Sequence, residues 1–453
     1  MNPAVFTGKE VLVMGLGLFG GGVDAAEFAA RSATRVVVTD MAPEEKLRDS
    51  VDRLRPLPNV EFRLGSHDPA DFERADVVIV NPAVPPGNSF VLTAQQNGKW
   101  VTSQVGLFFQ LCPARIVGIT GANGKSTTTT LTAYLLENAP KPRSFERVWL
   151  SGNIGDQPLL TILDDVGPDD IVVLELSSFQ IEQLAAEQRA PHISLLTNLT
   201  PNHLDRYGTF DAYCASKKGI FDYQNRDGGS TPAISIFNAE DEIATRWFAR
   251  YRQQSQRTCL TFSADDVDPA TRRAYRLPGR AYLSNLAAAM AIVRCLDVSD
   301  DSIRACLSGF KGLPHRLELV AEAHGVRWFN DSKATTPLSA IVALEAFDGP
   351  EILIAGGYDK HLPLDGLARK IVEKAKAVIL IGQTAPKIAR AVETVGNGDV
   401  SVEIVASLAQ AVESARRQAV AGDVVLLSPG CASYDMFTNY EHRGEAFCRL
   451  VMG

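Results

Sequence analysis

Glycine, lysine and a hydroxyl residue in succession form a phosphate-binding arrangement, and Gly124-Lys125-Ser126 supplies it within the run Thr120-Gly-Ala-Asn-Gly-Lys-Ser-Thr127. Gly121 and Gly124 permit φ > 0, which lets backbone N–H groups of the turn around Asn123 point inward at an anion. Lys125 would reach the β/γ-phosphates of a nucleotide, Ser126 would offer a hydroxyl to Mg²⁺, and a helix opening through Ser126 and Thr127 adds its positive end. The strict pattern places glycine where this chain has Ile119, so the match is a variant. Its weight comes from its setting, an apolar strand at 116–119 before it and helical spacing after it. The ligand implied is a nucleoside triphosphate.

Other residues sit where a parallel sheet presents its ligand-binding edge. Gly15-x-Gly17-Leu18-x-Gly20 follows an apolar strand, and Asp40 ends the next one, as in a dinucleotide fingerprint. Taken alone, that fingerprint suggests an NAD(P)-binding oxidoreductase. Glu175 ends the apolar strand 171–174, where an acid meets Mg²⁺ or, alternatively, favours the start of a following helix by about 0.3–1 kcal/mol. His203 falls in a polar loop after the strand 192–197, a place where a lone histidine is more often a surface residue. Lys217 lies in a short amphipathic helix, and spacing alone makes it a solvated lysine.

The elements that must hold these residues alternate between strand and helix. At 453 residues, with about 150 per domain, three domains are expected. Strands are expected at 60–64 and 76–80; then at 171–174, 192–197, 233–237 and 258–262; then at 326–329, 351–355, 377–381, 401–404 and 423–427. Helical spacing covers 282–295 and 408–419. This is an α/β chain whose domains divide at 1–112, 113–312 and 313–453, with Gly309-Phe-Lys-Gly-Leu-Pro-His-Arg as a linker. Hydrophobic content of 45% and charged content of 22% allow each domain a core. A net charge of −8 argues against nucleic-acid binding, which needs a basic face. Seven scattered cysteines without a C-x-x-C fit a reducing compartment, and no apolar run reaches the ~18 residues of a membrane span. The expectation is a cytoplasmic monomer.

Taken in order, Thr120-Gly-Ala-Asn-Gly-Lys-Ser-Thr, Ser151-Gly-Asn-Ile-Gly, Leu174-Glu-Leu-Ser-Ser-Phe-Gln, Thr197-Asn-Leu-Thr-Pro-Asn-His-Leu-Asp-Arg, Leu313-Pro-His-Arg-Leu-Glu, Asn330-Asp-Ser-Lys-Ala-Thr and Leu427-Ser-Pro-Gly-Cys-Ala-Ser-Tyr-Asp form a series that closely resembles the Mur ligase family, in particular its D-glutamate-adding branch. The resemblance spans all three segments. It implies a Rossmann-like N-terminal domain for a UDP-sugar, a central P-loop ATPase domain with a mainly parallel sheet, and a Rossmann-like C-terminal domain for the amino acid. The implied reaction is ATP-dependent amide formation between UDP-N-acetylmuramoyl-L-alanine and D-glutamate through an acyl phosphate.

By motif match, the resemblance implies that Ser126 and Glu175 hold one Mg²⁺. His203 and Lys217 serve a second, with Lys217 carbamylated. Asn153 meets the acyl end of the substrate, and Gly15, Leu18 and Asp40 meet the UDP moiety. Asn285, Arg316, Asp331 and Lys333 close on ATP, while Thr335, Lys360, Ser433 and Tyr440 receive D-glutamate. A related ligase taking another amino acid is the nearest alternative. The chain departs from the family pattern at Phe19, Met41-Ala42 and Ala83 near the UDP site, at Tyr282 before Asn285, and at Asp359, displaced by one position.

Overall fold

The structure, a computed structural model, describes residues 4–18, 20–154, 157–224, 232–396 and 399–453. Three sheets organise it. The first contains β1 (Glu10–Met14), β2 (Arg35–Asp40), β3 (Val60–Leu64), β4 (Val77–Val80) and β5 (Trp100–Thr102) in the order β3-β2-β1-β4-β5, all parallel. Val11–Met14 and Val77–Val80 are buried throughout, as befits strands covered on both faces. The strand order reverses between β1 and β4, and the glycine-rich turn leaves β1 at that switch point.

The second sheet contains β6 (Arg115–Thr120), β7 (Val148–Gly152), β8 (Ile171–Glu175), β9 (Ile193–Leu196), β10 (Ala233–Asn238) and β11 (Arg257–Phe262). Its order is β11-β10-β9-β6-β8-β7, again all parallel. β6 therefore runs between β8 and β9, so the residues ending these three strands share one edge. The third sheet has β12 (Glu318–Ala323), β13 (Val326–Asn330), β14 (Glu351–Ala355), β15 (Ala375–Leu380), β16 (Ser401–Ile404) and β17 (Val424–Leu427), ordered β12-β13-β17-β14-β15-β16. Only β12 is antiparallel to its neighbour.

The chain forms two compact units. One comprises Met1–Asp266 and Asn285–Ile303 and holds the first two sheets; the other comprises Val267–Ser284 and Arg304–Gly453 and holds the third. Within the first unit the two sheets are tied together by buried polar contacts. Asp24, in the opening turn of the helix Gly21–Ala30, accepts from Leu160 N (2.8 Å), Thr161 Oγ1 (2.9 Å) and the Gln104 amide, and burial pushes its pKa up. Thr102 Oγ1 donates to Glu187 at 3.1 Å, and Gln183 Nε2 donates to the Val80 carbonyl at 2.9 Å.

The expected strands are present, with ends shifted by a residue or two. Three more exist: β5, β7 and β12. β5 has three residues, too few to show a period, and β12 (Glu-Leu-Val-Ala-Glu-Ala) is a largely exposed edge strand without an apolar run.

Candidate active site

The phosphate loop leaves β6 and enters the helix Lys125–Glu137 through Gly124, which has φ +78. A Cβ on Gly124 would lie 2.2 Å from Asn285 Oδ1, and one on Gly121 would lie 1.9 Å from Thr197 Oγ1. Both residues also have positive φ, +149 at Gly121 and +78 at Gly124, so the backbone itself calls for glycine there. The loop is strapped to the segment that follows β9. Ala122 N donates to the Asn198 carbonyl (2.8 Å) and Asn123 N to Asn198 Oδ1 (2.9 Å), while Thr197 Oγ1 donates to the Asn123 carbonyl (2.6 Å). With those two N–H groups held by Asn198, the donors of the turn that an anion could meet would be those of the helix opening at Lys125, Ser126 and Thr127. Lys125 Nζ lies over the loop, 2.9 Å from the Ala122 carbonyl. Asn285 adjoins the same helix, accepting from Thr128 Oγ1 at 3.4 Å.

Glu175 ends β8 beside this loop and is buried. One carboxyl oxygen accepts from Asn153 Nδ2 at 3.0 Å, and Asn153 N donates to the Glu175 carbonyl at 2.9 Å. The other oxygen, Oε2, is buried without a hydrogen-bond partner. An orphaned buried carboxylate oxygen next to a phosphate loop is an oxygen donor of the kind a hard divalent cation takes.

Lys217, in the helix Phe210–Asp222, is buried rather than solvated; its Nζ donates to Thr120 Oγ1 at 3.1 Å and lies 5.0 Å from the centre of the Tyr213 ring. Desolvation, reinforced by Lys125 and opposed by Glu175, lowers its pKa well below the usual lysine range. His203 is exposed, has φ +51 at the start of the short helix Leu204–Tyr207, and rests its ring against Phe179. Desolvation, then nearby Lys217, hold its pKa down, against an opposing pull from Asp205. Among the described residues no three His, Cys, Asp or Glu side chains converge, so a cation here would draw on hydroxyl, phosphate or modified-lysine oxygens as well.

In the first sheet, Asp40 Oδ2 accepts from Gly17 N (3.1 Å) and Oδ1 from Ala42 N (2.8 Å), which fixes the carboxylate against the glycine turn. A Cβ on Gly15 would lie 2.7 Å from Asn81 Cβ, and Asn81 Nδ2 donates to the Gly15 carbonyl at 3.1 Å. Leu18 is exposed, as is Met41; Phe19 lies outside the described residues.

The second unit carries its own polar cluster at the carboxyl ends of β13 and β17. Asp331 is buried and accepts from Ser428 Oγ (2.7 Å) and Leu317 N (3.2 Å); burial pushes its pKa up to about 7. Lys333 Nζ lies 5.0 Å over the Tyr440 ring. Ser433 is buried, Thr335 partly buried and Lys360 exposed. Tyr282 is buried, and its hydroxyl donates to the Arg316 carbonyl at 2.9 Å, so its position is explained by support of Arg316. Asp359 pairs with Lys387 and accepts from His361 N at 2.8 Å.

The sequence reading missed Arg443. Fully buried in the last helix, it donates to Ser332 Oγ (3.0 Å) and to the carbonyls of Ser332 (2.8 Å), Cys431 (3.1 Å) and Ala432 (3.3 Å). It thereby fastens the Asp331-Ser-Lys333 turn to the loop bearing Ser433. Asn198 was missed as well, although it lies within a motif.

Comparison with known proteins gives the chain relatives over nearly its whole length. The family model for the Mur ligase middle domain matches residues 119–293, and that for the Mur ligase, glutamate ligase domain matches residues 315–431. The UDP-N-acetylmuramoylalanine–D-glutamate ligase of Roseiflexus sp. (strain RS-1) is 40% identical, with 98% of each chain covered. Its namesake from Acetivibrio thermocellus is 36% identical over 98% of this chain and 96% of the relative. Among solved structures, the MurF ligase of Thermotoga maritima in complex with ADP is similar with a TM-score of 0.57 at 17% identity, covering 100% of this chain and 97% of that one. At that identity the likeness is one of fold.

Proposed function

Since the chain belongs to the Mur ligase family, we propose that its three sheets carry out one condensation, joining D-glutamate to UDP-N-acetylmuramoyl-L-alanine with ATP as the driving co-substrate. The protein is an ATP-dependent, ADP-forming amide ligase of peptidoglycan precursor synthesis. The observation that carries the residue-level reading is the shared edge of β6, β8 and β9, where the phosphate loop, the Asn153–Glu175 pair and buried Lys217 come together.

A carboxylate is a poor electrophile and needs a leaving group before an amine can displace it. The L-alanyl carboxylate therefore attacks the γ-phosphorus, a carboxylate oxygen forms the new P–O bond, and ADP departs. The D-glutamate amine then attacks the acyl carbon, loses a proton, and phosphate leaves with the bonding pair. Bringing two anions together is a problem of positioning and charge neutralisation. Lys125 and the helix opening at Ser126–Thr127 hold the β/γ-phosphates, and Asn153, fixed by Glu175, orients the acyl end.

Ser126 and Glu175 are the residues for one Mg²⁺, with His203 and Lys217 beside a second. Bound there, Mg²⁺ supplies neutralisation of phosphoryl charge. A lysine ammonium would repel such an ion, whereas the burial that lowers the Lys217 pKa favours the neutral amine, the form able to take up CO₂. The nitrogen lone pair bonds to carbon, a C=O pair moves to oxygen, and one N–H proton passes to solvent, leaving an anionic carbamate oxygen of the type Mg²⁺ prefers.

Asn285, Arg316, Asp331 and Lys333 bind ATP, with Asp331 toward the ribose and Lys333 toward the phosphates. Gly15, Leu18 and Asp40 hold the UDP moiety, while Thr335, Lys360, Ser433 and Tyr440 hold D-glutamate. The functional domains are 1–112, 113–312 and 313–453, each with one sheet. The protein acts as a cytoplasmic monomer; no described helix is long and apolar enough to cross a membrane. An oxidoreductase built on Gly15-x-Gly17-x-x-Gly20 leaves Lys125, Glu175 and Lys217 without a role. ADP release measured with UDP-N-acetylmuramoyl-L-alanine and a panel of amino acids tests the assignment. Release that depends on D-glutamate is expected, and preference for another amino acid would replace the acceptor.

A further inference from the structure

Lys217 Nζ makes one hydrogen bond to the described residues, and its acceptor is Thr120 Oγ1 at 3.1 Å. Thr120 is the last residue of β6, is fully buried, and immediately precedes the phosphate loop. Its own hydroxyl proton is committed: Oγ1 donates to the Leu176 carbonyl at 2.8 Å. Leu176 is the residue after Glu175, and Leu176 N donates to the Ile119 carbonyl at 2.9 Å. With its proton directed at a carbonyl, the Thr120 hydroxyl can face Lys217 only as an acceptor. On the other side of Nζ stands the Tyr213 ring, 5.0 Å away.

A lysine carbamate retains a single N–H on Nζ. Of the groups around that nitrogen, an acceptor with committed polarity selects the N–H and turns the carboxylate away from itself. We propose that Thr120 is a positioning residue: its hydroxyl takes the carbamate N–H and thereby sets where the carbamate oxygens point relative to Glu175. The inference deepens the reading of Lys217 given above and rests on it. It also gives a reason for a hydroxyl at a wholly buried strand position beside apolar Ile119.

The test uses the full chain with Mg²⁺ and ¹³C-bicarbonate, comparing wild type with Thr120→Val and Thr120→Ser. Thr120→Val keeps the shape and removes the acceptor; Thr120→Ser keeps the hydroxyl and removes the methyl. Thr120→Cys, with a weak acceptor of similar size, makes the same comparison should the valine variant not fold. Wild type is expected to show a ¹³C carbamate resonance. Thr120→Val is expected to lose part of it and to lose kcat by about 10–100-fold, the usual effect of removing a partner that orients a ligand group. KM for ATP and for the UDP-sugar should stay within about twofold, raised bicarbonate should restore part of the rate, and Thr120→Ser should behave as wild type. A valine variant with full resonance and full kcat overturns the role of Thr120 while leaving Lys217 as read. Equal losses in the valine and serine variants with the resonance intact overturn it too, since they indicate strand packing. Absence of the resonance in wild type overturns the carbamate reading and this inference together.

Discussion

Glu351 is the first residue of β14, fully buried, and neither carboxyl oxygen has a hydrogen-bond partner. Removal from water, only partly opposed by Lys374, pushes its pKa from 4.5 to about 9. In the unfolded chain the group ionises as pH rises through about 4.5, whereas the folded chain keeps the proton until about 9. Between those values the unfolded state binds fewer protons, so this residue costs stability increasingly as pH rises. At pH 7 the gap from 4.5 is 2.5 pH units, and at 1.36 kcal/mol per unit the cost is about 3 kcal/mol. Glu351→Gln keeps the shape and cannot ionise. It should raise the thermal midpoint of the unit carrying the third sheet by about 6–12 °C at pH 7, taking about 2–4 °C per kcal/mol, and change it little at pH 4. Thermal unfolding followed by circular dichroism at both pH values measures this. Turnover should be unchanged, because Glu351 begins the strand whose far end, Ala355, leads towards Lys360. A shift of equal size at pH 4 and pH 7, or a destabilised variant at pH 7, would refute the reasoning.

Gly124→Ala forces a side chain into φ +78 and places its Cβ 2.2 Å from Asn285 Oδ1. The left-handed backbone costs a side chain about 1–2 kcal/mol, which the ligand-free loop sheds by leaving that conformation, so ADP affinity measured by calorimetry should fall about tenfold; wild-type affinity would remove the loop from nucleotide binding. Tyr282→Phe should lower stability by about 1 kcal/mol through the lost bond to the Arg316 carbonyl, and, through that main-chain support alone, raise KM for ATP by no more than about twofold. A large rise in that KM would return Tyr282 to the nucleotide site. Asp331 ionises near pH 7 and, as a ribose acceptor, should bind better when charged. KM for ATP is therefore expected to fall from pH 6 to pH 8 in wild type and to stay flat in Asp331→Asn; parallel profiles would contradict the role.

The buried parallel strands were the most legible part of the chain. Val, Ile and Leu runs such as those of β1, β4 and β14 are apolar because both faces are covered, and β14 appears at its expected ends, Glu351–Ala355. Edge strands carry no such run, which is why β7 and β12 escaped notice. In the site, Glu175 was legible as a strand-end acid, and Gly124-Lys125-Ser126 as a phosphate turn. Lys217 was not, because helical spacing cannot show that a helix lays one lysine against the carboxyl end of β6; only the family resemblance singled it out. Asn198 and Arg443 act through backbone groups far along the chain, Asn198 on Asn123 and Arg443 on Ser332. Such pairings are made by topology and leave no local pattern.

The central claim is that the acceptor carboxylate is phosphorylated before the amine attacks. Preparing UDP-N-acetylmuramoyl-L-alanine with ¹⁸O in the alanyl carboxylate and analysing released phosphate by mass spectrometry tests it directly. The account predicts that each phosphate released with D-glutamate carries one oxygen from the labelled carboxylate. Phosphate with no label, at normal turnover, would contradict it.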